Sequence, residues 1–254
     1  MNKKLIKSTL KKSPALYKVL ASVKRRVFPS RDHELRRYLA ELPTKVPNPV
    51  FVKVGANDGI TNDPCGETFL NDTRWSGILV EPVPYCVEKL KTVYADPERF
   101  RIEQVAVGDQ PGTATFYYVS KDAKDAIPDL PHWYDQLGSF DRQHILNHLD
   151  AVLEPYIVEA PVAVKSLQQV VNDSNITQFS FLHIDTEGYD LSVLKTLDFG
   201  QSAPLAVFVE HKHLSSKDRK EMKSLLESNG YKVRNFGRDY FATHSAANEA
   251  LNAN

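Results

Sequence analysis

The chain has 254 residues, with 32 basic side chains against 32 acidic ones and two cysteines. That length allows one substantial core, two cysteines outside any CxxC pair argue for neither a disulfide framework nor a zinc site, and no apolar run reaches the roughly 18 residues of a membrane span. Charge is unevenly spread: ten of the basic residues precede the first acid, Asp32, so a basic arm adjoins an acidic body.

Within the arm, Ser13 and Pro14 read as the cap and first residue of a helix with Leu16, Leu20, Val23 and Val27 on one face, stopping at Pro29. Ser30 or Asp32 caps a second helix that aligns Leu35, Leu39 and Leu42 and ends at Pro43. The prolines of "TKVPNPV" set a boundary near residue 45, dividing a helical leader (1–45) from a body (46–254). Lys18 interrupts the one N-terminal stretch resembling a signal-peptide core, so a cytoplasmic location is expected. The arm suits an anionic membrane surface, which would place the protein at the inner face of a membrane, as well as it suits packing on the body. Nucleic acid is not favoured, because the rest of the chain is acidic.

Along the body, strands are predicted over 50–54, 77–80, 100–107, 113–119, 179–185, 205–210, 231–236 and 240–243. Helices are predicted over 67–71, 85–94, 166–171, 189–197 and 217–229. Such alternation means an α/β fold with a mainly parallel sheet, and the last two strands, too close for a crossover helix, are antiparallel. Residues of about 120–160 fit no regular pattern; a segment of this length in a compact domain is functional more often than idle, and it is the expected lid over an acceptor.

Ligands of open α/β sheets sit at the carboxyl ends of strands, where the strand order reverses. The first body strand ends at Val54, so Gly55 is where backbone can approach a ligand without an intervening side chain. The turn Gly55-Ala56-Asn57-Asp58-Gly59 lacks the GxGxxG spacing that cradles a pyrophosphate, which disfavours a nicotinamide-dependent oxidoreductase. A nucleoside without phosphates suits it better, and Glu81, ending "GILVEP", is placed to accept hydrogen bonds from ribose hydroxyls. In "FSFLHIDTEGYD", Asp185 and Glu187 are expected to emerge together at the rim of the sheet.

The motifs "VGANDG", "GILVEPVP", "AVGD", "HIDTEGYD" and "AVFVEH", followed by "LLESNGYKV" and "DYFA", stand in the order seen in the FkbM-type S-adenosylmethionine-dependent methyltransferases. The chain resembles that family over about residues 49–243. The resemblance implies a Rossmann-like class I methyltransferase fold, a seven-stranded sheet with an antiparallel C-terminal hairpin, and O-methylation of a sugar or glycan-related acceptor. It also implies that Gly55, Ala56, Asn57 and Gly59 line the methionine end of S-adenosyl-L-methionine, Glu81 the ribose, and Asp185 the rim near the sulfonium. Asp58, Pro82, Ala106 and Val107, from the same motifs, complete the expected cofactor set. Lys53 departs from the pattern, since an acid is common two residues before the glycine; pairing with Asp58, Asp63 or Asp185, or with the cofactor's carboxylate, would accommodate it. A methyltransferase fold kept as a scaffold without turnover is the rival that Lys53 raises.

An acceptor hydroxyl needs a base, and Asp185, His211 and Glu210 are the candidates, with Asp185 and His211 foremost. Asp185, Glu187, Glu210, His211 and His213 would converge on a divalent metal, yet their spacing matches no ligand motif, so metal is not favoured. Plainer readings stand beside these. His183 reads as a satisfied core histidine, Glu187 as a helix cap, and His211 and His213 as solvated rim residues. His144 and His148 read as a surface pair on one helical face. Trp133 and Tyr134 either stack on a sugar or form the insert's own core, and Ser139 either contacts the acceptor or caps a helix.

Overall fold

The computed structural model describes residues 31–252, except Pro128, His132, Asp150, Asn175 and Thr177; the helix expected over 14–28 lies outside the described residues. The helix α1 (Arg31–Glu41) leads into β1 (Val50–Val54), α2 (Gly66–Asn71), β2 (Ser76–Val80), α3 (Pro84–Val93) and β3 (Phe100–Glu103). After the excursion described below come α6 (Leu167–Asp173), β7 (Phe181–Ile184), α7 (Asp190–Lys195), β8 (Ala206–Glu210), α8 (Ser216–Ser228), β9 (Tyr231–Asn235), β10 (Asp239–His244) and α9 (Ser245–Asn252). The main sheet has seven strands in the order β3-β2-β1-β7-β8-β10-β9. β10 runs antiparallel between β8 and β9, while β3, β2, β1, β7 and β8 are parallel.

Both faces of this sheet are covered, which is why its inner strands are near-continuous apolar runs. Successive side chains alternate between the faces. Val52, Val54, Leu182, Ile184, Val207 and Val209 join one core with α6, α7 and α8. Phe51, Phe181, Phe208 and Phe241 join an aromatic core on the other, where Phe51 stacks on Phe69 with ring centroids 3.9 Å apart. Leu35, Leu39 and Leu42 are buried in this second core, so α1 packs on the body.

Between β3 and α6 the chain builds a second sheet, in the order β4-β6-β5, from β4 (Ala106–Val107), β5 (Gly112–Val119) and β6 (Ile157–Lys165). The single strand expected over 100–107 is therefore two, broken at Gln104 and Val105 where the chain leaves one sheet for the other. The insert between β5 and β6 contains α4 (Ala123–Ala126) and α5 (Arg142–Leu149). It has a core of its own, with Ala123, Leu130, Tyr134, Leu137, Ile145 and Leu153 buried together and Trp133 packed against them. Among the described residues no helix is long and apolar enough to cross a membrane.

Candidate active site

The alternation that sends Phe51 and Phe181 into the aromatic core sends Lys53 and His183, two residues further on, toward the same face at the carboxyl end of the sheet. They are register partners across β1 and β7. Asp185, one step further along β7, and Glu210, two residues after Phe208, continue this polar row. Lys53 forms an ion pair with Asp63, their side chains only 4% and 3% exposed. Asp63 also accepts the Cys65 N–H at 2.8 Å. Burial alone would raise the Asp63 carboxyl, but the Lys53 ammonium outweighs it and holds the group below the usual carboxylate range. Of the partners expected for Lys53, the structure selects Asp63.

His183 is buried, but it is not the satisfied core histidine expected. Its Nδ1 lies 3.9 Å from Asp63 Oδ1 and has no hydrogen-bond partner. Burial, then the charge of Lys53, push its pKa down to about 3, so the ring is neutral.

Gly55 has φ +74, and a Cβ there would collide with the carbonyl oxygen of Asp185. Only a glycine lets the ends of β1 and β7 close on each other in this way. The N–H groups of Gly55 and Ala56 both donate to the Val80 carbonyl, at 3.1 and 3.0 Å. Beside them Glu81 is buried, its Oε2 accepting the Asn57 N–H at 2.8 Å and its Oε1 the Val83 N–H at 2.9 Å. Burial pushes its pKa up to about 7 against the pull of those two donors.

The turn and strand ends floor a cleft of about 940 Å³, its open mouth included. Of the cofactor-binding residues expected, Gly55, Ala56, Asn57, Glu81, Pro82, Ala106, Val107 and Asp185 line it. Asp58 and Gly59 do not. Asp58 accepts the N–H groups of Ile60 and Thr61 and the Thr61 hydroxyl, and Gly59 lies against Tyr94 and Leu90, so both shape the turn from behind. The insert supplies the opposite wall, with Asp135, Gln136, Ser139 and Phe140. It is latched to the turn by Asn57 Nδ2, which donates to the Asp135 carbonyl at 2.9 Å, and by Gln136 Nε2, which donates to the Thr61 carbonyl at 3.3 Å. The Asp135 carboxylate is paired with Lys89 at 2.9 Å. Of these wall residues the sequence singles out only Ser139, as an acceptor contact or a helix cap; Asp135, Gln136 and Phe140 were missed, since no periodicity or spacing marks them.

A second cavity adjoins the first and shares Asn62, Asp63, Gln136, His183, Asp185 and Glu187 with it. Trp133, Leu137, His148, Glu210 and Lys212 also line this cavity. Asp185 is exposed on the floor of the opening, where crowding by neighbouring protein atoms, then the charges of Glu187 and Asp190, raise its carboxyl above the usual range. Glu210 is pushed up to about 9 by burial and by Asp185, Glu187 and Asp190. Burial acts to raise Glu187 too, but His213 beside it prevails and holds the carboxyl low. Glu187 does not cap the following helix as expected, and no side chain does; Asp190 instead accepts the Thr186 and Gly188 N–H groups at 2.9 and 3.0 Å and braces the turn ahead of the helix. Glu187 instead holds the left-handed conformation (φ +52), alone among charged residues described, at a cost of about 1–2 kcal/mol.

Two further expectations change. His211 lines neither cavity. Its N–H donates to the Arg238 carbonyl at 2.8 Å, and its buried ring packs 4.1 Å from that of Tyr240, which turns it toward the hairpin and away from the cleft. His144 and His148 are not a free surface pair. Docking of the insert carries them to His213, with ring centroids 5.7 and 5.1 Å from it.

A parallel sheet with a glycine turn at its switch point, and a buried acid ending the next strand, defines a Rossmann-like enzyme for a nucleoside cofactor. The sequence model of the Methyltransferase FkbM domain matches residues 53–233. The chain belongs to that family and is an S-adenosyl-L-methionine-dependent methyltransferase. No curated protein sequence matches it. Solved structures with a similar fold include a methyltransferase from Geobacter sulfurreducens (11% identity, 96% of this chain and 97% of that one, TM-score 0.42). Fibrillarin from Aeropyrum pernix, natively bound to S-adenosyl-L-methionine, is similar over 82% of this chain and 73% of its own (12% identity, TM-score 0.36). Precorrin-6y C5,15-methyltransferase from Geobacter metallireducens matches at 10% identity over 84% and 89% (TM-score 0.37). The residues present fit the cofactor: Glu81 is fixed by two backbone donors beside the cleft, and Asp63 neutralises the Lys53 ammonium that would otherwise repel the cofactor's own.

Proposed function

We propose that the protein is an O-methyltransferase whose acceptor is a hydroxyl of a sugar or glycan-related molecule held in the second cavity. The observation that carries this reading is the continuity of the two cavities through Asp185, Glu187 and His183, which brings acceptor and cofactor sites to one row of polar side chains. A cavity lined by carboxyl groups and a neutral histidine offers hydrogen-bond donors and acceptors suited to hydroxyl groups, and Trp133 in its lining is a residue type that packs on pyranose C–H groups.

When bound, the cofactor supplies a methyl group already activated by its positive sulfur. The chain then has two tasks, alignment and proton removal. Asp185, shared by both cavities, takes the acceptor's hydroxyl proton in its ionised form as the oxygen–methyl bond forms, and its raised pKa makes that form the stronger base. Glu210 and Glu187 hold the neighbouring hydroxyls, and the insert excludes water from above. His211, turned toward the hairpin, is a packing residue in this scheme.

Asp185→Asn is expected to lower kcat at least 100-fold while S-adenosylhomocysteine binds within threefold of wild type. Transfer of labelled methyl from the cofactor to a panel of glycans and glycolipids, with the product resistant to mild base as an ether is, tests the acceptor class. Labelling only of nitrogen, or of base-labile esters, would overturn it. We also propose that the basic arm, residues 1–31, holds the enzyme at the anionic inner face of a membrane, where each Lys or Arg contributes about 1 kcal/mol.

A further inference from the structure

We propose that the rim of the acceptor cavity is a divalent transition-metal site, built by His144 and His148 of α5, Glu187 of the β7–α7 turn, and Glu210 and His213 at the end of β8. Ligand atoms of His144, His148 and Glu187 all lie within 4.8 Å of one another, and those of Glu187, Glu210 and His213 do likewise. Glu187 belongs to both groups and joins them. Metal–nitrogen and metal–oxygen bonds of about 2.0–2.2 Å put ligands around one ion within about 4.4 Å of each other, so small side-chain rotations close either group of three, with the other group adjoining through Glu187.

The hydrogen bonds around the cluster point the same way. His148 Nδ1 is 2.8 Å from the His144 carbonyl oxygen. A carbonyl only accepts, so Nδ1 carries the proton and Nε2 keeps its lone pair, the arrangement that a backbone carbonyl imposes on metal-binding histidines. Glu210 Oε2 and His144 Nε2 are buried without a hydrogen-bond partner, and Glu210 is 7% exposed. His213 Nε2 sits 2.8 Å from Glu187 Oε2, an ion-pair contact that a bound ion would replace, and 3.9 Å from Glu210 Oε2. Buried polar atoms are seldom left unmet, and the two beside this shared carboxylate are accounted for by an ion between them. A cation also offsets the repulsion among Glu187, Glu210 and nearby Asp185. The other candidate group, Asp63, Cys65 and His183, takes no cation because the Lys53 ammonium already occupies Asp63.

Three imidazoles with two carboxylates are a nitrogen-rich borderline set. It selects ions such as Zn²⁺, Co²⁺, Mn²⁺ or Fe²⁺ over Mg²⁺ and Ca²⁺, which prefer oxygen alone. Because α5 belongs to the insert while Glu187, Glu210 and His213 belong to the sheet rim, the ion would clamp the insert down. His148, Glu187 and Glu210 line the acceptor cavity, so a remaining coordination position faces an acceptor oxygen. That last step rests on the hydroxyl-acceptor reading; the ion site does not.

The full chain, purified without a histidine tag and stripped with EDTA, is titrated with Co²⁺ while the visible d–d absorption is followed, and Zn²⁺ uptake is counted by mass spectrometry. One equivalent of each is expected. His144→Ala/His148→Ala and Glu187→Gln should each weaken Co²⁺ at least tenfold while keeping the wild-type circular dichroism and cooperative thermal unfolding, which certify the fold. His148→Asn serves if the double variant does not fold. No saturable uptake, uptake of Mg²⁺ alone, or Co²⁺ affinity unchanged in these variants would overturn the site. Stoichiometric uptake lost in the variants, without methyl transfer to any glycan, supports the ion site and removes only the acceptor assignment.

Discussion

Asp63→Asn tests the account of Lys53 directly. Both side chains of the pair are under 5% exposed, so the substitution leaves an ammonium with little water and no opposing charge at Asp63. Breaking one side of a buried pair costs about 3–5 kcal/mol, a large part of the roughly 5–15 kcal/mol that stabilises a domain. Lys53→Met should also destabilise, though less, because the Asp63 carboxylate keeps the Cys65 N–H and can take up a proton instead. Lys53→Met/Asp63→Leu removes both charges and fills the space, and recovers to within about 1 kcal/mol of wild type. Urea unfolding of the four proteins at pH 7 closes the cycle, with a coupling of about 3 kcal/mol expected. The Asp63 carboxyl is depressed in the fold, so its contribution is full above the unfolded value near 3.9 and is lost only as pH falls through the lower folded value. The coupling at pH 5 should therefore equal that at pH 7. An Asp63→Asn cost below about 1 kcal/mol, or strict additivity, would show that Lys53 reaches solvent or another partner and would refute the argument.

Gly55→Ala forces a side chain onto the Asp185 carbonyl in a left-handed conformation; a loss of about 2 kcal/mol or more and no thermal shift with S-adenosylhomocysteine are expected. Glu81 titrates near 7, so affinity for S-adenosylhomocysteine measured by calorimetry should fall as pH drops below 7, when the carboxylate gains a proton. Glu81→Gln should weaken binding about tenfold at pH 8, in line with loss of a charged hydrogen-bond partner worth roughly 1.5–3 kcal/mol, and flatten that pH dependence. Since the Glu81 carboxyl is raised in the fold, apo stability should run the other way, declining as pH rises from about 4.3 through 7. On flotation with anionic vesicles, the full chain should rise and a variant lacking residues 1–30 should not; equal flotation of both removes the tether.

How much of this was legible in the sequence follows from which forces are local. A strand covered on both faces must be an unbroken apolar run, so β1, β2, β7 and β8 announce themselves, and the polar residues that break those runs, Lys53, His183, Asp185 and Glu210, mark the site. Gly55 and Glu81 are legible for the same reason: each sits one residue past a strand. β6 was not legible, because Pro161 interrupts it and its exposed positions, Glu159, Pro161 and Ala163, do not form a polar row even though burial alternates; the proline is tolerated where β4, which pairs only with Val164 and Lys165, leaves that edge of β6 open. α9 is short and held from outside, its Asn248 tied to the Leu205 carbonyl at 3.0 Å, a tertiary contact. The histidine cluster fails on the same ground. Its members come from α5, from a turn after β7 and from beyond β8, and they meet only because Asn57 and Gln136 fasten the insert over the cleft. The sheet ends offer a nucleoside cofactor positions common to this architecture, whereas Trp133, Leu137, Gln136 and His148, all from the insert, face the second cavity. What distinguishes one acceptor from another is therefore carried by the segment whose placement is least local, and substitutions of Trp133 or Leu137, which line the second cavity and not the first, should alter acceptor KM while leaving cofactor affinity at the strand ends unchanged.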